Sequence, residues 1–346
     1  MSDARDNKML SMDIIVPLFN EELVLTEFHG QLVQAVSKLP CEIRILYVDD
    51  GSSDDTPALL QNLANKDSRV AFIRFSRNFG HQSALTAGLD HADADIVIMM
   101  DGDGQHPPQL IPEMVDQFRA GYDVVLTQRS DEAGLSFLKR KNSQLFYGLI
   151  NRIGNTRIIP GAADFRLLSH RAVDALRQMP EYHRFLRGMV SWVGFRTAIL
   201  PYTAPARLHG SSKYSPGKMM RLAMDAIFSF SLVPLQIGLV LGLLFFVLAA
   251  LEVIYVLSFW VRGKQALLVP GWSSLMFVIL ITGGFLMTLV GLIGNYVGYI
   301  FQEVKHRPVY VIQTAHMESR SARPLRSLGE LPRSPKTLET RPGPRQ

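Results

Sequence analysis

The chain has one cysteine, Cys41, among its 346 residues. A lone thiol excludes an internal disulfide and a multi-cysteine zinc site. Directly ahead of an apolar run, Cys41 reads as a small buried hydrophobe. Charge is also scarce, at 19% of residues against 47% hydrophobic, where an average soluble chain carries roughly 25% charge. Residues 1–11 are polar and mixed in sign, lack the apolar centre of a secretory signal, and are expected to form a flexible N-terminus. The net charge of +5 is compatible with nucleic acid, a membrane surface or an anionic substrate. No zinc finger, RNA-binding aromatic motif or heptad-bearing basic region is present, which makes nucleic acid the weakest of the three.

What is present begins with alternating elements. Strands are predicted at Asp13–Pro17, Glu42–Val48, Val70–Phe75, Ile96–Met100 and Asp123–Thr127. Helices are predicted at Glu21–Leu39, Thr56–Ala64, Ser83–His91 and Leu110–Ala120. Such alternation predicts an α/β domain over residues 12–210 with a mostly parallel sheet covered by helices. Ligands of such sheets bind beyond the carboxyl ends of the strands.

Two long uncharged runs follow. Leu232–Leu251 has 20 residues without a charge and Trp272–Phe301 has 30. At about 1.5 Å per residue each is long enough to cross a hydrocarbon core of about 30 Å. Transmembrane helices are expected at 232–258 and 272–301, with Gly294 and Gly298 offering a small-residue packing face that would suit a homo-oligomer. The connection between the runs carries Arg262 and Lys264. The opposite flanks carry Arg207, Lys213, Lys218, Arg221, Lys305 and Arg307. Positive-inside logic therefore places the α/β domain and both termini in the cytoplasm. Residues 136–154 join a basic cluster to a stripe of Leu138, Leu145, Leu149 and Ile153, the pattern of a helix lying on the bilayer or of an ordinary surface helix. Residues 211–231 are expected to form a polar loop and a juxtamembrane helix. Residues 302–314 are expected as a cytoplasmic segment, and 315–346 as a disordered basic tail.

The chemistry gathers at predicted strand ends. Asp101-Gly-Asp103 follows the buried strand ending at Met100. Residues i and i+2 of an extended chain face one side, so two carboxylates would crowd together unless a divalent cation, Mg²⁺ or Mn²⁺, bridged them to a diphosphate. Gln105 would add an oxygen or hold a metal-bound water. Asp49-Asp-Gly-Ser-Ser-Asp54 follows the second strand, where Asp49 and Asp50 would accept hydrogen bonds from a base or ribose, or else serve the turn. Ser53 or Asp54 would cap the next helix. Pro17, Phe19 and Glu21 bring an aromatic ring and a carboxylate to the same edge. Pro17-Leu-Phe-Asn-Glu21 is not the Gly-x-Gly-x-x-Gly of a nucleotide-dependent dehydrogenase.

Val16-Pro-Leu-Phe-Asn-Glu21, Val48-Asp-Asp-Gly-Ser-Ser-Asp-Asp-Thr56, Ser76-Arg-Asn-Phe-Gly80 and Asp101-Gly-Asp-Gly-Gln-His-Pro-Pro108 together resemble inverting glycosyltransferases of the GT-A fold. Gln128-Arg-Ser130, Leu138-Lys-Arg-Lys141, Asp164-Phe-Arg-Leu167, Arg207, Gly210-Ser-Ser-Lys-Tyr-Ser215 and the two apolar runs narrow the resemblance to polyprenyl-phosphate glycosyltransferases. Among these the chain is similar to bactoprenol glucosyltransferases and, more distantly, to dolichyl-phosphate mannose synthases. A processive polysaccharide synthase would add a Gln-x-x-Arg-Trp motif and more spans, and a non-catalytic membrane scaffold would not need carboxylates at three strand ends.

The resemblance implies transfer of a hexose, glucose first, from a nucleotide-sugar such as UDP-glucose to undecaprenyl or another polyprenyl phosphate. It implies that Pro17, Phe19, Glu21, Asp49, Asp50, Asp101, Gly102, Asp103 and Arg129 bind the donor, with Asp101, Asp103 and Gln105 at the metal. It assigns Arg140, Arg207, Ser212 and Lys213 to phosphate and acceptor, and Asp103 and Asp164 to catalysis. Two positions depart from the family pattern: Gly104 replaces a larger apolar residue, and Asn295 stands where a Glu is common. A phosphate monoester is mostly dianionic at neutral pH, so the acceptor needs no strong base. That leaves Asp164 either as a base or as a positioning group.

Overall fold

The computed structural model describes residues 9–129, 159, 161–182, 184–203, 233–263 and 271–317. The expected interfacial helix at 136–154, the loop at 211–231 and residues 318–346 lie outside the described residues, as do Arg140, Arg207, Ser212 and Lys213.

Eight strands form one sheet: β1 (Leu10–Leu18), β2 (Cys41–Asp49), β3 (Val70–Phe75), β4 (Ile96–Met99), β5 (Val124–Arg129), β6 (Ala162–Ser169), β7 (Thr197–Tyr202) and β8 (Ile312–His316). Their spatial order is β7-β5-β6-β4-β1-β2-β3-β8. The pairs β1/β2, β1/β4, β2/β3 and β5/β7 are parallel, while β4/β6, β5/β6 and β3/β8 are antiparallel. The expected mostly parallel sheet is present, and β6, β7 and β8 extend it beyond the five predicted strands.

Helices α1 (Leu25–Val36), α2 (Thr56–Lys66), α3 (His81–His91) and α4 (Ile111–Arg119) match the predicted four, with α1 shorter than its prediction. Two further helices, α5 (His170–Arg177) and α6 (Leu186–Trp192), follow β6. One face of the sheet buries Ile14, Val16, Phe28, Leu32, Met114 and Val115 under α1 and α4. The other buries Ile15, Leu85, Met99, Val173, Leu186 and Met189 under α3, α5 and α6. Gly88 lets α3 lie on β1, because a Cβ there would come within 2.2 Å of Ile15 Cγ2.

β1 begins at Leu10, three residues before its predicted start at Asp13. In the sheet Asp13 sits opposite Arg44 and is fully buried. Its oxygens accept from Arg44 Nε at 2.9 Å and Nη2 at 2.6 Å, and Arg44 also donates to Asp93 at 2.8 Å. A buried charge survives in a strand when it is paired and hydrogen-bonded in this way. Cys41, at the start of β2, is only half-buried.

The two uncharged runs are helical: α7 (Val233–Val261) and α8 (Trp272–Val304). Among the described residues one segment, Ile281–Val304, is long and apolar enough to cross a membrane by length and composition. The helices meet where a Cβ on Gly238 would come 2.4 Å from Leu289 Cδ2 and where Phe245 and Phe285 lie 5.3 Å apart. Gly294 and Gly298 have open space around them and do not form this contact. After α8 the chain returns to pair β8 with the β3 edge, so Ala315 and His316 belong to the sheet rather than to the expected tail.

Candidate active site

The carboxyl ends of β1, β2, β3 and β4 lie side by side, as their parallel registers require. Pro17 and Leu18 end β1, and Phe19, Asn20 and Glu21 form the turn beyond it. Asn20 holds a left-handed φ of 54°. Its side-chain oxygen accepts from Ser53 N at 2.9 Å, and its own amide donates to Ser52 Oγ at 2.9 Å. Glu21 N donates to Thr56 Oγ1 at 3.0 Å. The first two loops are thereby stitched together, with Glu21 half-buried between them. Asp54 accepts from Thr56 N at 3.1 Å, but the N-cap of α2 is Asp55, which makes no side-chain cap, and not the expected Ser53 or Asp54.

Asp49 and Asp50 point into the protein. Asp49 is fully buried, accepts from Ser52 N at 2.9 Å and lies 3.4 Å from Arg74 Nε. Asp50 accepts from Phe79 N at 2.7 Å and Gly80 N at 2.9 Å, so it anchors the loop between β3 and α3. Burial raises both carboxyls above their ordinary range, and the amide hydrogen bonds work against it. Gly51, at φ 70°, lets this turn close on the third loop: a Cβ there would meet the Arg77 carbonyl carbon at 2.4 Å.

Asp101, Gly102 and Asp103 stand just beyond β4. Gly102 is the close-approach position, since a Cβ would reach Leu18 Cδ2 at 2.7 Å. Asp101 Oδ1 meets His81 Nε2 at 2.7 Å, and Asp101 N donates to His106 Nδ1 at 2.8 Å. Burial disfavours charge on His81, yet Asp101 outweighs it and pushes the imidazole up to about 9. Burial likewise opposes ionisation of Asp101, and His106 and His81 outweigh it, leaving its carboxyl below the usual range. Asp103 Oδ1 accepts from Gln105 N at 3.0 Å, a turn closed by Gly104 at φ 79°. A side chain at Gly104, as in the family pattern, would be strained at that φ. His106 is buried and stacks on Phe165 at 5.4 Å.

Asp164 lies on β6, which pairs with β4, and so joins the same end of the sheet. It is not a lone acid. Arg187 of α6 donates to both its oxygens, Nε at 3.0 Å and Nη2 at 2.7 Å, and Arg166 pairs with Oδ1. Arg166 is 1% exposed, with its Nε unpartnered. Against the cost of burial, Arg187 and Arg166 hold the Asp164 carboxyl well below the usual carboxylate range. His81, His106, Arg166 and Arg187 were not singled out as site residues from the sequence. His81 and Arg187 occupy helix starts with no motif to mark them, while His106 and Arg166 lie within the 101–108 and 164–167 motifs, beside the acids they contact. Arg129, at the end of β5, is exposed, and its amide donates to Gly161 O at 3.1 Å.

Among the described residues no three His, Cys, Asp or Glu side chains group as a metal cage. Two carboxylates at a partly exposed loop fit a cation that takes one or two protein ligands and completes its shell from substrate phosphates and water, as Mg²⁺ commonly does. The donor set therefore fits a diphosphate-bound divalent ion.

A mostly parallel sheet with acidic loops at adjoining strand ends is the arrangement of a GT-A-like α/β fold. Residues 13–177 match the family model Glycosyl transferase family 2. The SfII prophage-derived bactoprenol glucosyl transferase of Shigella flexneri is 38% identical over 311 residues, covering 89% of this chain and 99% of that protein. The glycosyltransferase YkcC of Bacillus subtilis (strain 168) is 36% identical over 310 residues, covering 90% and 95%. A solved structure of glucosyl-3-phosphoglycerate synthase from Mycobacterium tuberculosis with Mn²⁺, UDP and phosphoglyceric acid is 16% identical, with a TM-score of 0.44 over 64% of this chain and 78% of that one. The chain belongs to glycosyl transferase family 2, and it is an enzyme of that class.

Proposed function

We propose that the protein transfers a hexose, glucose first, from a nucleotide-sugar to a polyprenyl phosphate at the membrane surface. The near-full-length similarity to bactoprenol glucosyl transferases carries this reading. The acidic loops beyond β1, β2 and β4 support it by supplying groups suited to a nucleoside diphosphate. In this reading Pro17, Phe19, Glu21 and Arg129 border the donor. Asp50 shapes its pocket by fixing the Phe79–Gly80 turn, and Asp49 braces the turn after β2 through Ser52 N. Asp101 and Asp103, with Gln105 at the same turn, would hold Mg²⁺ or Mn²⁺. When bound, such an ion supplies Lewis-acid stabilisation of the departing diphosphate.

The acceptor oxygen attacks the anomeric carbon as the bond to the diphosphate breaks, with inversion. A phosphate dianion needs no proton removed, and Asp164 suits a different task. Both its oxygens are engaged by guanidinium donors and its carboxyl is held acidic, so it is a poor proton acceptor. We assign it the role of orienting Arg187 and neutralising buried Arg166, so that positive charge is fixed near the reacting anions. Arg140, Arg207, Ser212 and Lys213 are assigned to the acceptor by sequence. Helices α7 and α8 are assigned to the bilayer, with the catalytic domain on the cytoplasmic face. The free space at Gly294 and Gly298 leaves α8 able to pack on a second copy.

The test supplies membranes containing the protein with labelled UDP-glucose, UDP-galactose and GDP-mannose plus undecaprenyl phosphate, with Mn²⁺ or with a chelator. Labelled lipid from UDP-glucose that vanishes on chelation is the expected result. Label from no donor would sink the reading.

A further inference from the structure

The segment after α8 was expected to be a plain cytoplasmic stretch, and its contacts are more specific than that. β8 pairs antiparallel with β3, with Phe72 opposite His316 and Arg74 opposite Thr314. Ser76 N donates to Val311 O at 3.0 Å. Tyr310 stacks on Phe75 with centroids 5.1 Å apart at 12°, and its hydroxyl donates to Asp90 Oδ2 at 3.1 Å. Phe75 meets Phe79 edge-on at 5.7 Å, and the Phe79 amide is one of those held by Asp50. One chain of contacts thus runs from Tyr310 to the donor-side loop.

The other half of the site is reached from the last turn of α8. Both Glu303 oxygens accept from Tyr182 N, at 2.9 and 3.1 Å, four residues before α6 begins. That helix carries Arg187, which clamps Asp164. Asp90 also faces Arg184 at 3.5 Å, so the Tyr310 hydroxyl and the loop leading to α6 share an anchor.

We propose that residues 303–316 form a strap that registers both halves of the active site against the end of α8, with Tyr310 and Glu303 as positioning residues. Three features set it apart from simple edge covering. The backbone pairing fixes translation along β3, the aromatic stack presses on the loop that Asp50 organises, and the Glu303 contact fixes the Arg187 side. If α8 lies in the bilayer, as the proposed function has it, the strap also sets how far the donor pocket stands from the lipid phosphate. The strap itself rests on the contacts above and not on that assignment.

The test is amide hydrogen exchange on the full-length protein in detergent micelles, comparing wild type with Tyr310→Ala, Tyr310→Leu, Tyr310→Phe and Glu303→Ala. An aromatic pair is worth about 0.5–1.5 kcal/mol, so losing it should speed exchange in a peptide covering residues 76–82 by up to roughly tenfold. Tyr310→Phe keeps the stack and should keep the slow exchange. Glu303→Ala, which removes the acceptor of Tyr182 N, should loosen residues 181–190 and leave 76–82 unchanged. A peptide covering α4 is the control for general destabilisation. Tyr310→Leu retains apolar volume without the ring, and stands in if Tyr310→Ala does not fold. Equal acceleration of the α4 peptide, or no change at 76–82 in either variant, would overturn the strap. In parallel, the KM for UDP-glucose should rise about threefold in Tyr310→Leu, with kcat per folded molecule changing less. Absence of lipid product from the wild type would count against the proposed reaction, and the exchange data would still decide the strap.

Discussion

Among the described residues Asp164 is the only carboxylate paired with Arg166, which is 1% exposed, and replacing it by Ala removes that partner. Removing one partner of a buried ion pair typically costs about 3–5 kcal/mol, because the remaining charge stays desolvated. Arg187 adds little to that cost, since its side chain is 34% exposed and water can take over its solvation. For a domain of roughly 200 residues each kcal/mol moves the melting temperature by about 2–4 °C, so a fall of about 6–20 °C is expected. Asp164→Asn retains an acceptor and the shape, and should lose less. The double variant Asp164→Ala/Arg166→Met removes both charges and should recover much of the loss, as apolar replacements of buried pairs often do. The assay is thermal unfolding in detergent at pH 7.5, followed by near-ultraviolet circular dichroism. If Asp164→Ala melted within 2 °C of wild type, or the added Arg166→Met lowered stability further, the buried-charge argument would be wrong.

Four other outcomes follow from the same geometry. The Asp164 carboxyl is held well below its ordinary range, so its contribution is complete above the unfolded carboxylate value of about 3.9 and disappears as pH falls through its lower folded value. Wild type should therefore lose more stability than Asp164→Asn as pH drops below about 5, measured by urea unfolding across pH. Gly88→Ala should destabilise by about 1–3 kcal/mol, because the new methyl meets Ile15 at 2.2 Å and either α3 or β1 must shift. The measurement is a denaturation midpoint, and a neutral result would refute the packing. Asp13→Ala leaves Arg44 with Asp93 and the His91 carbonyl at the end of the sheet remote from the site. It should lower the melting temperature while leaving the KM for the donor unchanged, read by thermal shift and initial rates. Asp103→Asn should weaken Mn²⁺ binding at least tenfold when titrated by electron paramagnetic resonance in the presence of UDP, and unchanged binding would remove Asp103 from the metal site.

Some of this was legible without coordinates because it is local. The β-branched runs of β1 to β5, the Gly and Asp punctuation of the loops after β1, β2 and β4, and the two long uncharged runs are properties of neighbouring residues. They placed Glu21, Asp50, Asp101 and Asp103 at adjoining strand ends before any fold was known. Beyond that point the chain's own pattern misled. β6 was missed because Asp164 and Arg166 interrupt its apolar character, and only their mutual neutralisation with Arg187 makes the strand buriable. β8 was missed because its residues have no reason to be extended until β3 offers an open edge.

The roles of the acids divided in the same way. A row of aspartates looks alike in sequence, and only packing distinguished buried Asp13, Asp49 and Asp50, which hold the frame through Arg44 and backbone amides, from the partly exposed Asp101 and Asp103. Periodicity and turn chemistry act over a few residues, so the sequence alone determined β1 to β5, α1 to α4 and the acidic turns at the strand ends. Charge pairing, register and ring stacking act between residues 20 to 220 positions apart, such as His81 with Asp101 or Asp90 with Tyr310. Those partners have no meaning until the chain is folded, and the tertiary structure alone decided them.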